Sequence, residues 1–254
     1  MSDSPPVPLN GAATACADCA FRGDLLPAGR CLPGDACIRA HSGRQIDRFL
    51  RRNPELADRY INDSFWERRA IAARYAPLDL VRPLAGDMDE VVRRAVALRL
   101  PLEELGTMMR DTDREVRITV AGRLPPMQLD AFISDPDYMV RLQAARHLPH
   151  GRLPRMAHDP DPEVRKEVAR RLPAFALKKM ARDPEAEVRR IAASRMLPED
   201  AAIMLADADW MVRREAVLRA PLALLDALAD DAEEEVREAV HQRKTGVDKS
   251  EEPS

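Results

Sequence analysis

Four cysteines, Cys16, Cys19, Cys31 and Cys37, stand within 22 residues of one another, and the rest of the 254-residue chain has none. Thiolate is the soft ligand of zinc sites and iron–sulfur clusters, and in a reducing compartment such a group holds metal rather than disulfides. The spacing is C-x2-C-x11-C-x5-C. The first pair suits a tight turn that presents two thiolates to one centre. Gly23, Pro27, Gly29, Pro33 and Gly34 supply the turns that fold the second pair back toward it. A zinc ribbon repeats the CxxC in its second half, and bacterial ferredoxins use a C-x2-C-x2-C-x3-C-P run, so the x5 interval departs from both. On spacing alone, structural zinc and an iron–sulfur cluster stand level. His41 reads as a surface histidine rather than a replacement for one of the four ligands. The arginines that follow, Arg39, Arg44, Arg48, Arg51 and Arg52, read as a solvated helix face, with compensation of a thiolate centre as the sharper reading.

No other catalytic pattern is present. There is no phosphate-cradling glycine loop, no nucleophile with an adjacent base and no paired-carboxylate motif, so the expectation is a protein that is not an enzyme. A formal charge of −3 gives no global attraction to nucleic acid or anionic lipid. The N-terminus lacks the basic and apolar regions of a signal peptide, and no apolar run approaches a bilayer span. The expected compartment is the cytoplasm.

The elements behind the cysteines come from a repeat. From Asp63 the chain divides into eight consecutive 24-residue units without insertion. Position 1 is aspartate in all eight, from Asp63 and Asp87 to Asp231, and position 7 is arginine in all eight, from Arg69 and Arg93 to Arg237. Position 6 is valine except at Arg68, and position 10 is valine or alanine. Two apolar positions one helical turn apart mark a buried helix face. Aspartate at positions 1 and 3 predicts N-terminal capping. Proline at position 15, or at Pro198 in the sixth unit, predicts that the helix stops near position 13. Apolar residues at positions 19 and 22, such as Leu105 with Met108, predict a second, short 3₁₀ or α element. One such unit cannot bury enough apolar surface to offset the entropy of ordering it, so the units must stack as a solenoid.

The domains follow: a cysteine module over 1–38, a degenerate capping repeat over 39–62, the array over 63–242, and a disordered tail over 243–254. The Asp/Arg ladder reads as structural, each pair being exposed and worth about 0–1 kcal/mol. A second basic stripe at position 13 (Arg99, Arg123, Arg171, Arg195, Arg219, Arg243), with position 8, is the basis of a nucleic-acid reading. Trp66, Tyr138 and Trp210 share position 4 and are expected to pack between units. The methionines at position 22 belong to the core.

The CADC…C…C block ahead of DPDPEVRKEVARRLP-type units closely resembles the leucine-rich repeat variant proteins, from Cys16 to about Arg243. That resemblance implies an all-α fold, a right-handed superhelix of alternating α and 3₁₀ helices. It also implies a [4Fe–4S] cluster on Cys16, Cys19, Cys31 and Cys37, and zinc becomes the alternative. It carries no catalytic residue. Arg68, Pro198 and the truncated eighth unit depart from the consensus and are expected to loosen stacking. The expected function is a protein-interaction scaffold whose cluster senses redox state, transfers electrons or caps the array. The alternative is a nucleic-acid binder using the arginine stripes.

Overall fold

A computed structural model describes residues 16–246. The chain forms two compact units that meet in sequence between Leu124 and Pro125. The first holds the cysteine module, then helices α1 (Gly43–Arg52), α2 (Trp66–Tyr75), α3 (Glu90–Arg99) and α4 (Arg114–Arg123). The second holds α5 (Tyr138–His147), α6 (Pro162–Arg171), α7 (Ala186–Ala193), α8 (Trp210–Arg219) and α9 (Glu234–Thr245). A 3₁₀ element follows each α-helix but the last in its unit, for example Leu102–Met108 and Ala174–Met180, and Pro126–Phe132 opens the second unit. Within each unit consecutive α-helices pack against one another. Among the described residues there is no strand, only an isolated bridge between Leu32 and Ala36. This is the expected all-α repeat solenoid. No helix among the described residues is long and apolar enough to cross a membrane.

Helices α3, α4, α5, α6 and α8 run over positions 4–13 of their units, and the cause lies at each end. The N-cap is position 3, not position 1. The carboxylates of Asp89, Asp113, Asp137, Asp161 and Asp209 accept from first-turn N–H groups. Where position 3 is Phe65, Glu185 or Glu233, no side-chain cap forms. Position 1 acts one step earlier, its Oδ1 accepting from the position-3 N–H, as in Asp87 from Asp89 and Asp183 from Glu185. At the other end position 14 turns extended before the proline, and its N–H still closes the last helical bond, as from Leu100 to Val96. In the sixth unit the proline stands one residue later, and the extended residue before it is Leu197 at position 15. Helix α7 ends at Ala193, and a short α-turn, Pro198–Ala201, opens the next element.

The core draws on six positions per unit, among them Ala97 and Leu100 at positions 11 and 14. Val92, Val96, Leu105 and Met108 are buried, as are their counterparts Val164, Val168, Leu177 and Met180. The position-4 aromatics do not share this burial. Trp66 is 38% and Tyr138 40% exposed, because position 4 lies about 200° around the helix from position 6. Trp210 packs against the core of the last two repeats.

Within each compact unit the ladder joins consecutive repeats. Arg69, Arg93, Arg141, Arg165, Arg189 and Arg213 each hold the position-1 aspartate of the following unit through Nε and Nη2. Their Nη1 groups donate to the position-1 carbonyl of their own unit. These pairs are not exposed, as sequence reasoning had them. Arg165 and Asp183 leave 10% and 5% of their side chains accessible.

The position-13 arginines point backward. Arg99 donates to the carbonyls of Ala73 and Ala76, Arg123 to Ala97 and Leu100, Arg195 to Ala169 and Leu172, and Arg243 to Val217 and Ala220. Each satisfies carbonyls left free at the end of the preceding helix. A stripe engaged in this way is not available to track a phosphate backbone. Arg243 also shows that α9 continues past residue 242, where the array was expected to end. The tail expected to be disordered lies, from residue 247, outside the described residues.

Candidate metal centre

The cysteine module is two short turns fastened to the capping repeat. Cys19 N–H bonds to the Cys16 carbonyl at 3.3 Å, which closes the CxxC turn. The x5 interval is a hairpin. Leu32 and Ala36 exchange backbone bonds of 2.8 Å, so Cys31 and Cys37 leave opposite ends of one bridge. Gly34 takes φ +82° in this turn, a backbone that L side chains rarely adopt. The hairpin brings the backbone at the two ends of the x5 interval together across one bridge.

Helix α1 and its neighbours hold these turns. Cys37 N–H donates to the Gln45 carbonyl, and Gln45 Nε2 donates to the Gly34 carbonyl at 2.9 Å. The fully buried Asn53 donates to the carbonyls of Arg30 and Phe49. Phe21 packs on Phe49 with ring centroids 5.4 Å apart. A polar and aromatic seam thus fixes the module to the first helix.

All four cysteines are free thiols. Cys31 and Cys37 are buried, Cys16 and Cys19 half-buried. Burial, and then the charges of Cys37, Cys19 and Cys16, push the Cys31 thiol up to about 11. Burial likewise raises Cys16, with Cys37 and Cys19 adding to it and Arg22 and Arg39 opposing. The four sulfurs therefore share one electrostatic neighbourhood. Among the described residues no three cysteine, histidine or carboxylate side chains are yet drawn together at single-ion distance. The chemistry of the donor set, four free thiols on two tethered turns, fits an iron–sulfur cluster, whose irons take cysteine thiolates.

Few of the basic residues after the cysteines serve this centre. Arg48 and Arg52 pair with Asp35, and Arg51 pairs with Asp47. Arg39 does act on Cys16, joined by Arg22, which the sequence reading missed because it stands apart from the basic run that begins at Arg39. His41 lies 5.8 Å from the Phe65 ring, centroid to centroid. Arg68, expected to loosen stacking, instead makes the join. Its Nη1 donates to the Ile38 carbonyl, beside Cys37, while its Nε lies 2.9 Å from Asp63 and its guanidinium covers the Phe65 ring.

Fold and site together define a helical-repeat protein with a four-thiol module preceding the repeats. Residues 7–59 match the family described as LRV protein FeS4 cluster, and residues 138–161 and 162–185 match the leucine rich repeat variant family. A solved structure, described as a leucine-rich repeat variant with a novel repetitive protein structural motif, is 55% identical with a TM-score of 0.86. The match covers 90% of this chain and 97% of that one. A curated relative, the uncharacterized 27.7 kDa protein in the nifB 3′ region of Rhodobacter capsulatus, is 40% identical over 102 residues. That alignment spans 40% of this chain and 41% of the relative's length. The chain belongs to the leucine-rich repeat variant family, and its N-terminal module is of the iron–sulfur kind.

Proposed function

We propose that Cys16, Cys19, Cys31 and Cys37 together hold one [4Fe–4S] cluster and that the protein is a redox-responsive interaction scaffold. The observation that carries this reading is the set of four free thiols, two buried and two half-buried, whose charges act on one another. Bound there, a cluster supplies one-electron oxidation and reduction. The half-buried Cys16 and Cys19 put one edge of the site near solvent, within reach of an electron partner, and Arg22 and Arg39 offset negative charge on Cys16. The array contributes surface rather than chemistry. On the second unit's 3₁₀ elements Met127, Phe175, Leu222 and Leu224 are exposed, which suits contact with a protein partner. No residue is assigned a catalytic role.

Anaerobic purification followed by iron, sulfide and zinc analysis tests the cofactor. The expected result is four irons and four sulfides per chain with visible absorption that bleaches on reduction. Zinc without sulfide overturns the cluster, and a cluster that cannot be reduced reversibly overturns the redox role. Cys19→Ser is expected to lose the cofactor while the repeat helicity measured by circular dichroism remains.

A further inference from the structure

In the second unit most cations are already engaged. Position 7 holds aspartates and position 13 holds carbonyls. Arg152 and Arg155 pair with Asp130, Lys166 with Glu163 and Glu187, and Lys178 with Asp200. Lys179 and Arg182 are different. Both are exposed and make no hydrogen bond or ion pair among the described residues. They stand at positions 21 and 24 of their unit, where the following units have Ile203 with Ala206 and Ala227 with Asp230. The fold does not require a cation at either position.

Two adjoining cavities meet at these side chains. One, about 260 Å³, is lined by His158, Lys179 and Arg182 together with Asp159 and Asp183. Those carboxylates are taken by Arg141 and Arg165, so they do not neutralise the free cations. The other, about 560 Å³, shares Lys179 and Arg182 and is walled by Ile203, Met204 and Ala206. Ile203 is 51% exposed there.

We propose that this groove binds a small phosphate monoester, its phosphate held by Lys179 and Arg182 and its organic part lying against Ile203 and Met204. A guanidinium and an ammonium together match a dianionic tetrahedral group, and the planar fork of arginine bonds two of its oxygens. The larger cavity is of the size that holds small organic ligands. Two free cations over so short a span are too few for a nucleic-acid backbone, where affinity comes from several phosphates at once. The proposal is independent of the cofactor.

Titration calorimetry on the full chain, with phenyl phosphate, inorganic phosphate, phenol and benzoate as probes, tests it. Phenyl phosphate should bind saturably at one site, more tightly than inorganic phosphate, with phenol and benzoate weaker still. Lys179→Ala or Arg182→Ala should weaken it about tenfold, the worth of a charged hydrogen bond. Arg146→Ala, an exposed arginine elsewhere in the unit, should leave it unchanged. Ile203→Glu should weaken phenyl phosphate more than inorganic phosphate. Absence of saturable binding, equal affinity in the Lys179 and Arg182 variants, or tighter binding of a single-stranded oligonucleotide than of phenyl phosphate overturns the proposal.

Discussion

Replacing Asp183 by alanine removes the acceptor of two bonds from Arg165, 2.8 and 3.0 Å long, and the acceptor of the Glu185 N–H at 2.9 Å. The guanidinium keeps its bonds to the Asp159 and Pro160 carbonyls but loses its counter-charge. With the two side chains only 10% and 5% accessible, water cannot replace that charge fully. Stranding one member of a buried pair costs about 3–5 kcal/mol, against about 0–1 kcal/mol for an exposed pair. The expected loss for Asp183→Ala is therefore about 3–5 kcal/mol by urea denaturation followed by circular dichroism. Arg190→Ala is the control. Its 3.9 Å pairing with Glu187, each side chain 42% exposed, should be worth less than about 1 kcal/mol. The double variant Arg165→Met with Asp183→Ala leaves no stranded charge and should lose less than Asp183→Ala alone. Stability in a repeat array is a sum of nearest-neighbour terms, so amide exchange should quicken most in residues 159–206. If Asp183→Ala matches the Arg190 control, the ladder sets register without contributing stability, and the burial argument fails.

Other expectations follow from the same geometry. Bonds from Arg69 and Arg213 hold the Asp87 and Asp231 carboxyls below their ordinary value. At Asp111 and Asp207 burial pushes upward but is outweighed by Arg93 and Arg189 and by backbone N–H groups. Carboxyls depressed on folding stabilise the fold above their unfolded pKa of about 3.9, and that stability is lost as pH falls through the folded values. The urea midpoint should hold between neutrality and about pH 5 and drop below about pH 4; a midpoint unchanged at pH 3 would contradict the ladder's depressed carboxyls. Arg195→Ala should free the Ala169 and Leu172 carbonyls and cost about 1.5–3 kcal/mol, with faster exchange at the end of α6 rather than in α7. Gly34→Ala forces a side chain onto φ +82°, at a cost of about 1–2 kcal/mol, and should show as faster exchange of the Ala36 amide within the hairpin.

The helix limits, the 3₁₀ elements and the burial of Val92, Val96, Leu105 and Met108 were legible because they follow from periodicity and proline, which act within one unit. What was misread depends on a neighbour. Position 1 resembles a cap until Asp89 is seen to accept from Val91 and Asp87 from Asp89. The Arg165–Asp183 pair resembles a surface pair because a repeat consensus does not show which side chains the next unit covers. The position-13 stripe resembles a phosphate-binding face because its partners are carbonyls, which carry no residue identity. In the cysteine module the residue types named the chemistry, but the hairpin that closes the x5 interval rests on a two-residue bridge too short to leave a periodic pattern.

The two arginine stripes act in opposite directions, and this accounts for the way the array begins. Position 7 reaches forward to the next aspartate and position 13 reaches back to the previous helix end, so an interior unit is held on both sides. The first unit has no preceding unit of its own kind, and two of its side chains depart from consensus for that reason. Tyr75 replaces the arginine of position 13, and its hydroxyl donates to Asp47 of α1 at 2.9 Å. Arg68 replaces the valine of position 6 and donates to Ile38 at the edge of the cysteine hairpin. A repeat consensus scores both residues as errors. Each is the contact by which the first repeat accepts a partner outside the consensus array, so the departures locate the junction between that array and what precedes it.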